Sequence, residues 1–259
     1  LISKDYSSPR GANGYYVVNA KWSPDSQFFV YSMSSSGGHS PWSFPMMVYG
    51  RQKNRIAGFS DMINGEPTEN QLALGSKGAL RYEITAKGKL AHSAYPELGH
   101  SAIHTLLDVL EEIRGIALPE DPLLGPSTLN IGTISGGRAP NVVADQAEAE
   151  VMFRTVGDPS ALRQAVASAA AGRAEAREVL HTPAIRLNML GGLPTTVVAF
   201  TTDIPTFNGA WGEPFLIGPG SIHVAHTAEE RVAKKELSDA VEIYTRMTTE
   251  LLATGRSAA

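Results

Sequence analysis

The chain has 259 residues, 42% of them hydrophobic and 19% charged, so it can bury a sizeable core and is not a disordered chain. Its 22 basic and 26 acidic residues leave a net charge of -4, which excludes the basic footprint of a nucleic-acid or anionic-membrane binder. With no cysteine there is no disulfide, no thiolate metal site and no cysteine nucleophile, so any metal must be held by His, Asp or Glu. No apolar run reaches membrane-spanning length and no signal-peptide pattern opens the chain, so a cytoplasmic location is expected. The chain begins with Leu1 rather than Met, as a processed or incomplete product would.

Residues 1–57 are rich in Ser, Gly and aromatics and show no helical period. Trp22-Ser23-Pro24-Asp25-Ser26 is a turn signal, Phe28 to Tyr31 reads as a strand, Ser34 to Ser40 as a loop and Met46 to Tyr49 as another strand. The stretch around Trp22 to Ser32 resembles one blade of a TolB-like propeller, and one blade cannot bury its faces alone. His39 has no carboxylate two residues on and makes no metal motif. Composition shifts near Gly58. Gly65-Glu66-Pro67 then forms a turn in which proline restrains its own φ and the residue before it, so the Glu66 carboxylate is held at a fixed geometry.

From Lys77 the pattern is regular. Leu80, Tyr82, Ile84 and Ala86 alternate with polar residues and predict a half-buried strand. A loop over Gly88 to Gly99 holds His92. Ile103, Leu106, Leu107, Leu110 and Ile113 recur at helical spacing. Strands are predicted over Leu129 to Ile134, around Ala149, Val151 and Phe153, and within Glu175 to Thr182, with a helix from Pro159 towards Arg173. The order β-α-β-β-α-β is the ferredoxin-like split unit, with both helices on one face of the sheet.

After Pro183 the chain returns to α/β character. Phe215-Leu216-Ile217 reads as a buried strand, and Gly218-Pro219-Gly220 as a tight turn that lets backbone approach a ligand. Thr227 and Glu230 spell a capping box, which predicts a helix over about 228–252 with Leu237, Val241, Tyr244, Met247 and Leu251 as its buried stripe. His226 thus falls in a strand-to-helix loop, where open α/β sheets bind ligands. A loop histidine that only hydrogen-bonds locally is the plain alternative.

Five motifs in order carry a resemblance: GEPTEN (65–70), GKLAHSAYP (88–96), APNVVAD (139–145), EVMFR (150–154) and IGPGSIHVAHTAEE (217–230). Over about residues 58–254 the chain resembles the dizinc aminoacylase and carboxypeptidase family, which includes acetylornithine deacetylase, succinyl-diaminopimelate desuccinylase and glutamate carboxypeptidase. The Gly-Pro-Gly and Ala-His-Thr wording is most similar to the acetylornithine deacetylase branch.

The resemblance implies an α/β fold. A partial catalytic α/β layer (58–76 and 184–259) would carry an inserted ferredoxin-like lid and dimerisation domain (77–183), after an N-terminal β segment (1–57). It implies Glu66 and His226 as ligands of zinc or cobalt, two metals per site. Such metals polarise an amide carbonyl and lower the pKa of a bridging water. It implies His92 as a lid histidine that crosses a dimer to stabilise an oxyanion, and Asn141 and Arg154 as substrate-binding residues. Gly218 and Gly220 would face the substrate with their backbone N–H groups. The substrate would be an N-acyl amino acid or a small peptide, and the partner a second copy.

The family also has an upstream His-x-Asp pair, a bridging Asp and a Glu-Glu pair whose first member is the general base. None is matched here. The Glu-Glu pairs are Glu111-Glu112 and Glu229-Glu230, both downstream. Asp61 stands only about five residues before Glu66 and reads as a chance likeness to the bridging Asp. The expectation is a metal-dependent amidohydrolase whose activity is impaired in this chain. The alternatives are a non-catalytic dimerisation module and a chimera of two genes.

Overall fold

A computed structural model describes residues 15–22, 28–35, 45–52, 55–56, 61–207 and 212–253. The expected turn after Trp22, the rest of the expected Ser34 to Ser40 loop including His39, and Gly58 lie outside the described residues, while Ser34 and Ser35, expected in that loop, are held in a strand by pairing with Tyr16 and Tyr15. Residues Ser76–Ile185 with Ala199–Thr201 form one compact unit, and the rest of the chain forms a second.

The first strands are β1 (Tyr15–Trp22), β2 (Phe28–Ser35), β3 (Pro45–Gln52), the two-residue β4 (Arg55–Ile56), β5 (Asp61–Asn64) and β6 (Leu72–Ser76). The stretches expected as strands in the N-terminal segment fall inside β2 and β3. β1, β2 and β3 run antiparallel, and β3 continues antiparallel onto β5 with Met46 opposite Ile63.

The lid unit carries β7 (Gly78–Lys87), α1 (Ala102–Arg114), the short β8 (Glu120–Asp121) and β9 (Gly125–Pro126), β10 (Thr128–Gly136), β11 (Gln146–Thr155), α2 (Ser160–Ala170) and β12 (Ala174–Thr182). The four long strands lie in the order β10-β11-β7-β12, all antiparallel, which is the split β-α-β-β-α-β arrangement expected. Alternation decides the face. Leu80, Tyr82, Ile84, Ala86, Ala147, Ala149, Val151 and Phe153 are buried in one cluster with the inner residues of α1 and α2, so both helices cover the same side. Tyr82 and Phe153 meet edge to face at 6.4 Å. Ser101 caps α1, its Oγ accepting from the His104 N–H. The helix buries Leu106, Val109, Leu110 and Ile113, but Leu107, expected inward, is 49% exposed because it lies one step round from that stripe.

The chain then adds the two-residue β13 (Ile185–Arg186), β14 (Thr195–Val198), β15 (Glu213–Leu216) and α3 (Lys234–Ala253). β6 pairs between β13 and β14. β15 pairs parallel with β5, Phe215 opposite Ile63. Ile63, Leu72, Phe215, Ile217, Met247 and Leu251 form one core cluster of this unit among the described residues.

Two expectations fail at α3. The helix begins at Lys234, not after Thr227. The capping-box groups do bond: Thr227 Oγ1 accepts from the Glu229 N–H, and Glu230 Oε2 accepts from the N–H of His226, one residue earlier than a capping box requires. The turn closes on itself and no helix propagates from it. Tyr244, Met247 and Leu251 face the core as expected, but Leu237 and Val241 are 45% and 65% exposed, and Ala240 and Ile243 take their place. With the helix starting at Lys234, the inward stripe is the one centred on Ala240, Tyr244 and Met247, and Val241 falls beside it.

Candidate functional site

Because β5 and β15 are parallel neighbours, the loops that leave them emerge at the same edge of the sheet, where α/β layers bind ligands. The Glu66 loop and the Gly-Pro-Gly loop are bonded together there. The Ile217 N–H donates to Asn64 O, the N–H groups of Thr68 and Asn70 donate to Gly218 O, and that of Glu69 donates to Gly220 O. A Cβ on Gly218 would stand 2.5 Å from Glu66 O and 2.6 Å from Gly65 O, so only glycine permits the approach. Gly220 has a φ of +87°, the left-handed region. Glu69 and Asn70, at φ +57° and +58°, make the centre of a tight turn closed by the Gln71 N–H to Thr68 O.

The structure brings Glu66, Gly218 and Gly220 together, but the glycine N–H groups are already used. Gly218 N–H donates to Thr68 Oγ1 at 3.0 Å, and Gly220 N–H donates to Glu236 Oε2 at 2.8 Å. The expectation that these amides face a substrate therefore does not hold; the glycines shape the loop. Glu236 also takes Asn70 Nδ2 on its carbonyl, so the first turn of α3 clamps both loops. Sequence reasoning missed Thr68 and Glu236, whose bonds cross long stretches of chain.

Glu66 is half-buried, and loss of water pushes its carboxyl up to about 7, with the charge of Asp203 adding to the rise. Two residues before Glu66, the side-chain oxygen of Asn64 is buried without a hydrogen-bond partner among the described residues. His226 is exposed, at φ +61°, in the turn closed by Glu230. A carboxylate and an imidazole are donors of the kind zinc takes, but their number is short. Among the described residues no three His, Cys, Asp or Glu side chains converge on one point, and catalytic zinc sites use about three protein ligands. The described residues do not complete a metal site.

In the lid unit, His92 and Asn141 lie together. His92 forms a bridge with Val142, and the Ser93 N–H donates to Asn141 O at 3.0 Å. His92 Nδ1 accepts from the Ala94 N–H, so the neutral ring carries its proton on Nε2 and presents a donor to solvent. The Tyr95 ring stands beside it at 6.5 Å between centroids. Arg154 is elsewhere. It sits near the far end of β11, half-buried, with Nη1 on Thr201 Oγ1 at 2.9 Å. Burial holds its guanidinium below the usual value. No carboxylate pairs with it among the described residues. Asn141 precedes the start of β11, where Gln146 faces Lys87, and the eight steps to Arg154 span roughly 26 Å at the strand rise. One lid therefore separates Arg154 from His92 and Asn141.

Residues 74–178 match the peptidase dimerisation domain. A peptidase M20 domain-containing protein of Schizosaccharomyces pombe is 40% identical over 187 residues, covering 71% of this chain and 47% of that protein. A probable carboxypeptidase of Ajellomyces dermatitidis is 39% identical over 213 residues, covering 73% of this chain and 49% of that protein. The chain spans about half the length of the curated relatives it matches. Among solved structures, aminopeptidase PepT from Bacillus cereus superposes with a TM-score of 0.60 at 18% identity, covering 77% of this chain and 59% of that one. A tripeptidase from Staphylococcus aureus gives 0.60 at 21% identity, covering 76% and 58%. These two show the fold. No helix among the described residues is long and apolar enough to cross a membrane. By its five motifs, its split lid and these relatives, the chain belongs to the M20 peptidases, the aminoacylase and carboxypeptidase family.

Proposed function

We propose that the chain is the lid and the carboxyl-terminal part of the catalytic layer of a metal-dependent amidohydrolase. Its substrates are N-acyl amino acids or small peptides, and it works as a cytoplasmic homodimer paired through the lid. The domain limits are 1–57, 58–76 with 184–259, and 77–183. Glu66 and His226 are its metal ligands, Arg154 grips the substrate carboxylate, and Asn141 and His92 contact the reacting amide. By itself the chain hydrolyses poorly, because its metal ligands are too few and the base of the Glu-Glu pair is missing.

The observation that carries this reading is the register of β11, which puts Arg154 eight steps, roughly 26 Å, from Gln146, the end of the strand from which the Asn141 loop enters the lid sheet. A carboxylate held by Arg154 is out of reach of His92 on the same lid. The histidine that donates its Nε2–H to the developing oxyanion then comes from a second copy. A second reading, a non-catalytic dimerisation module, draws on the match of residues 74–178 to the peptidase dimerisation domain.

The test is sedimentation of the full chain, its zinc content after loading, and release of acetate from N-acetylornithine. A dimer with fewer than two metals per chain and little turnover is expected. A monomer overturns the crossed-dimer site. Two metals per chain with strong turnover, abolished by Glu66→Ala, overturns the impairment. A dimer that binds no metal and has no turnover leaves the module as the better reading.

A further inference from the structure

The lid unit contains a cleft of about 680 Å³ between the loop that follows His92 and the Gly136–Ala144 loop. This is the size of a small-molecule site. Arg138, His100 and His104 line it, with the hydroxyls of Ser93 and Ser101, and none of its lining residues is acidic.

The polar groups are arranged as donors. Arg138 spends Nε and Nη2 on the two oxygens of Asp145, at 3.0 and 2.6 Å. That fork fixes the plane of the guanidinium and leaves Nη1 unused. Ser101 Oγ accepts from the His104 N–H, so its own proton is available to donate. The His104 side chain is exposed. His100 is the exception: Thr105 Oγ1 donates to Ser101 O and so accepts from His100 Nε2. Ile103, Val142 and Val143 supply an apolar wall.

We infer that this lid cleft binds a small organic anion, a carboxylate on a short apolar body. The carboxylate meets Arg138 Nη1, the Ser101 hydroxyl and the His104 ring, and the apolar body lies along Ile103, Val142 and Val143. The site is separate from Arg154, which lies at the other end of the lid sheet, and it stands whether or not the chain hydrolyses anything.

The experiment titrates the full chain with 4-methylpentanoate and with 4-methylpentanol, read by amide chemical shifts and calorimetry. The carboxylate should bind with a Kd on the order of a millimolar, as expected for a ligand of this size, and the alcohol should bind far more weakly. Shifts should centre on Ile103, Gly137 and Val142. Arg138→Gln should weaken binding about tenfold, the loss of one charge-assisted hydrogen-bonding group, while Arg154→Gln leaves it unchanged. If Arg138→Gln disturbs folding through the lost Asp145 pair, His104→Gln removes a side chain with no hydrogen-bond partner among the described residues, and should still weaken the carboxylate and not the alcohol. Equal affinity for acid and alcohol, shifts that gather at Arg154 and vanish in Arg154→Gln, or no binding at all each overturns the site. Loss of hydrolysis or of metal binding leaves it untouched.

Discussion

The lid unit and the unit that carries Glu66 use their apolar faces differently. In the lid, each inward position of the two central strands finds a helix above it, and one cluster takes in both strands and both helices. In the other unit one described cluster packs Ile63, Leu72, Phe215 and Ile217 against Met247 and Leu251 of α3, and the same helix leaves Leu237 and Val241 in solvent. The lid unit thus closes one core over its own two helices. The other unit devotes its backbone to holding loops at one sheet edge, and its stability should hang on those loops as much as on its core.

The largest effect that would break this contrast is at Phe153, the largest fully buried side chain in the lid. Phe153→Ala should cost about 3–5 kcal/mol in denaturant unfolding followed by a lid probe. An effect spread equally over both units would mean that they share one cooperative core. Next comes Gly218→Ala, whose methyl would enter the Glu66 carbonyl at 2.5 Å. It should cost about 1–3 kcal/mol and shift amide signals around Glu66 and Thr68 while the lid signals stay put.

Glu66 sharpens the contrast through pH. Its folded pKa, about 7, lies above the unfolded 4.5, so stability is full below 4.5 and is lost as pH rises through 7. In the presence of a chelator the melting temperature should therefore fall across that window, and Glu66→Gln should flatten the fall. A profile unchanged by the substitution would show that Glu66 is well hydrated. Smaller still, Ser101→Ala removes a true cap from α1 and should cost about 1 kcal/mol. The smallest effect belongs to Thr227→Ala, which removes groups from an exposed turn and should cost less than about 0.5 kcal/mol. If Thr227→Ala costs as much as Ser101→Ala, α3 begins earlier than Lys234 in solution.

These cases also show what was legible. Strict alternation over Leu80 to Ala86 and over Ala149 to Phe153 needs only a period of two, and the buried face of those strands followed from it, while the helix side came with the β-α-β-β-α-β order. The Thr227 and Glu230 pattern is equally local, yet it matched a turn, because side chains that can cap a helix can also close a loop that has none after it. The glycine-loop position was readable from Gly218-Pro219-Gly220, but the fate of its amides was not. Thr68 and Glu236 reach them from far along the chain, and nothing in a local window marks either residue. Asp203 stayed silent for the same reason, since its effect on Glu66 is electrostatic and acts through space. Placing His92 with Asn141, and both away from Arg154, needed the register of β7 and β11.

The joint between Gly218 and Thr68 ties positions 150 residues apart. A ribosome delivers the whole lid before it delivers the second half of that joint. During synthesis the lid can finish its own pairing while the Glu66 loop waits, unmatched, for β15 to arrive.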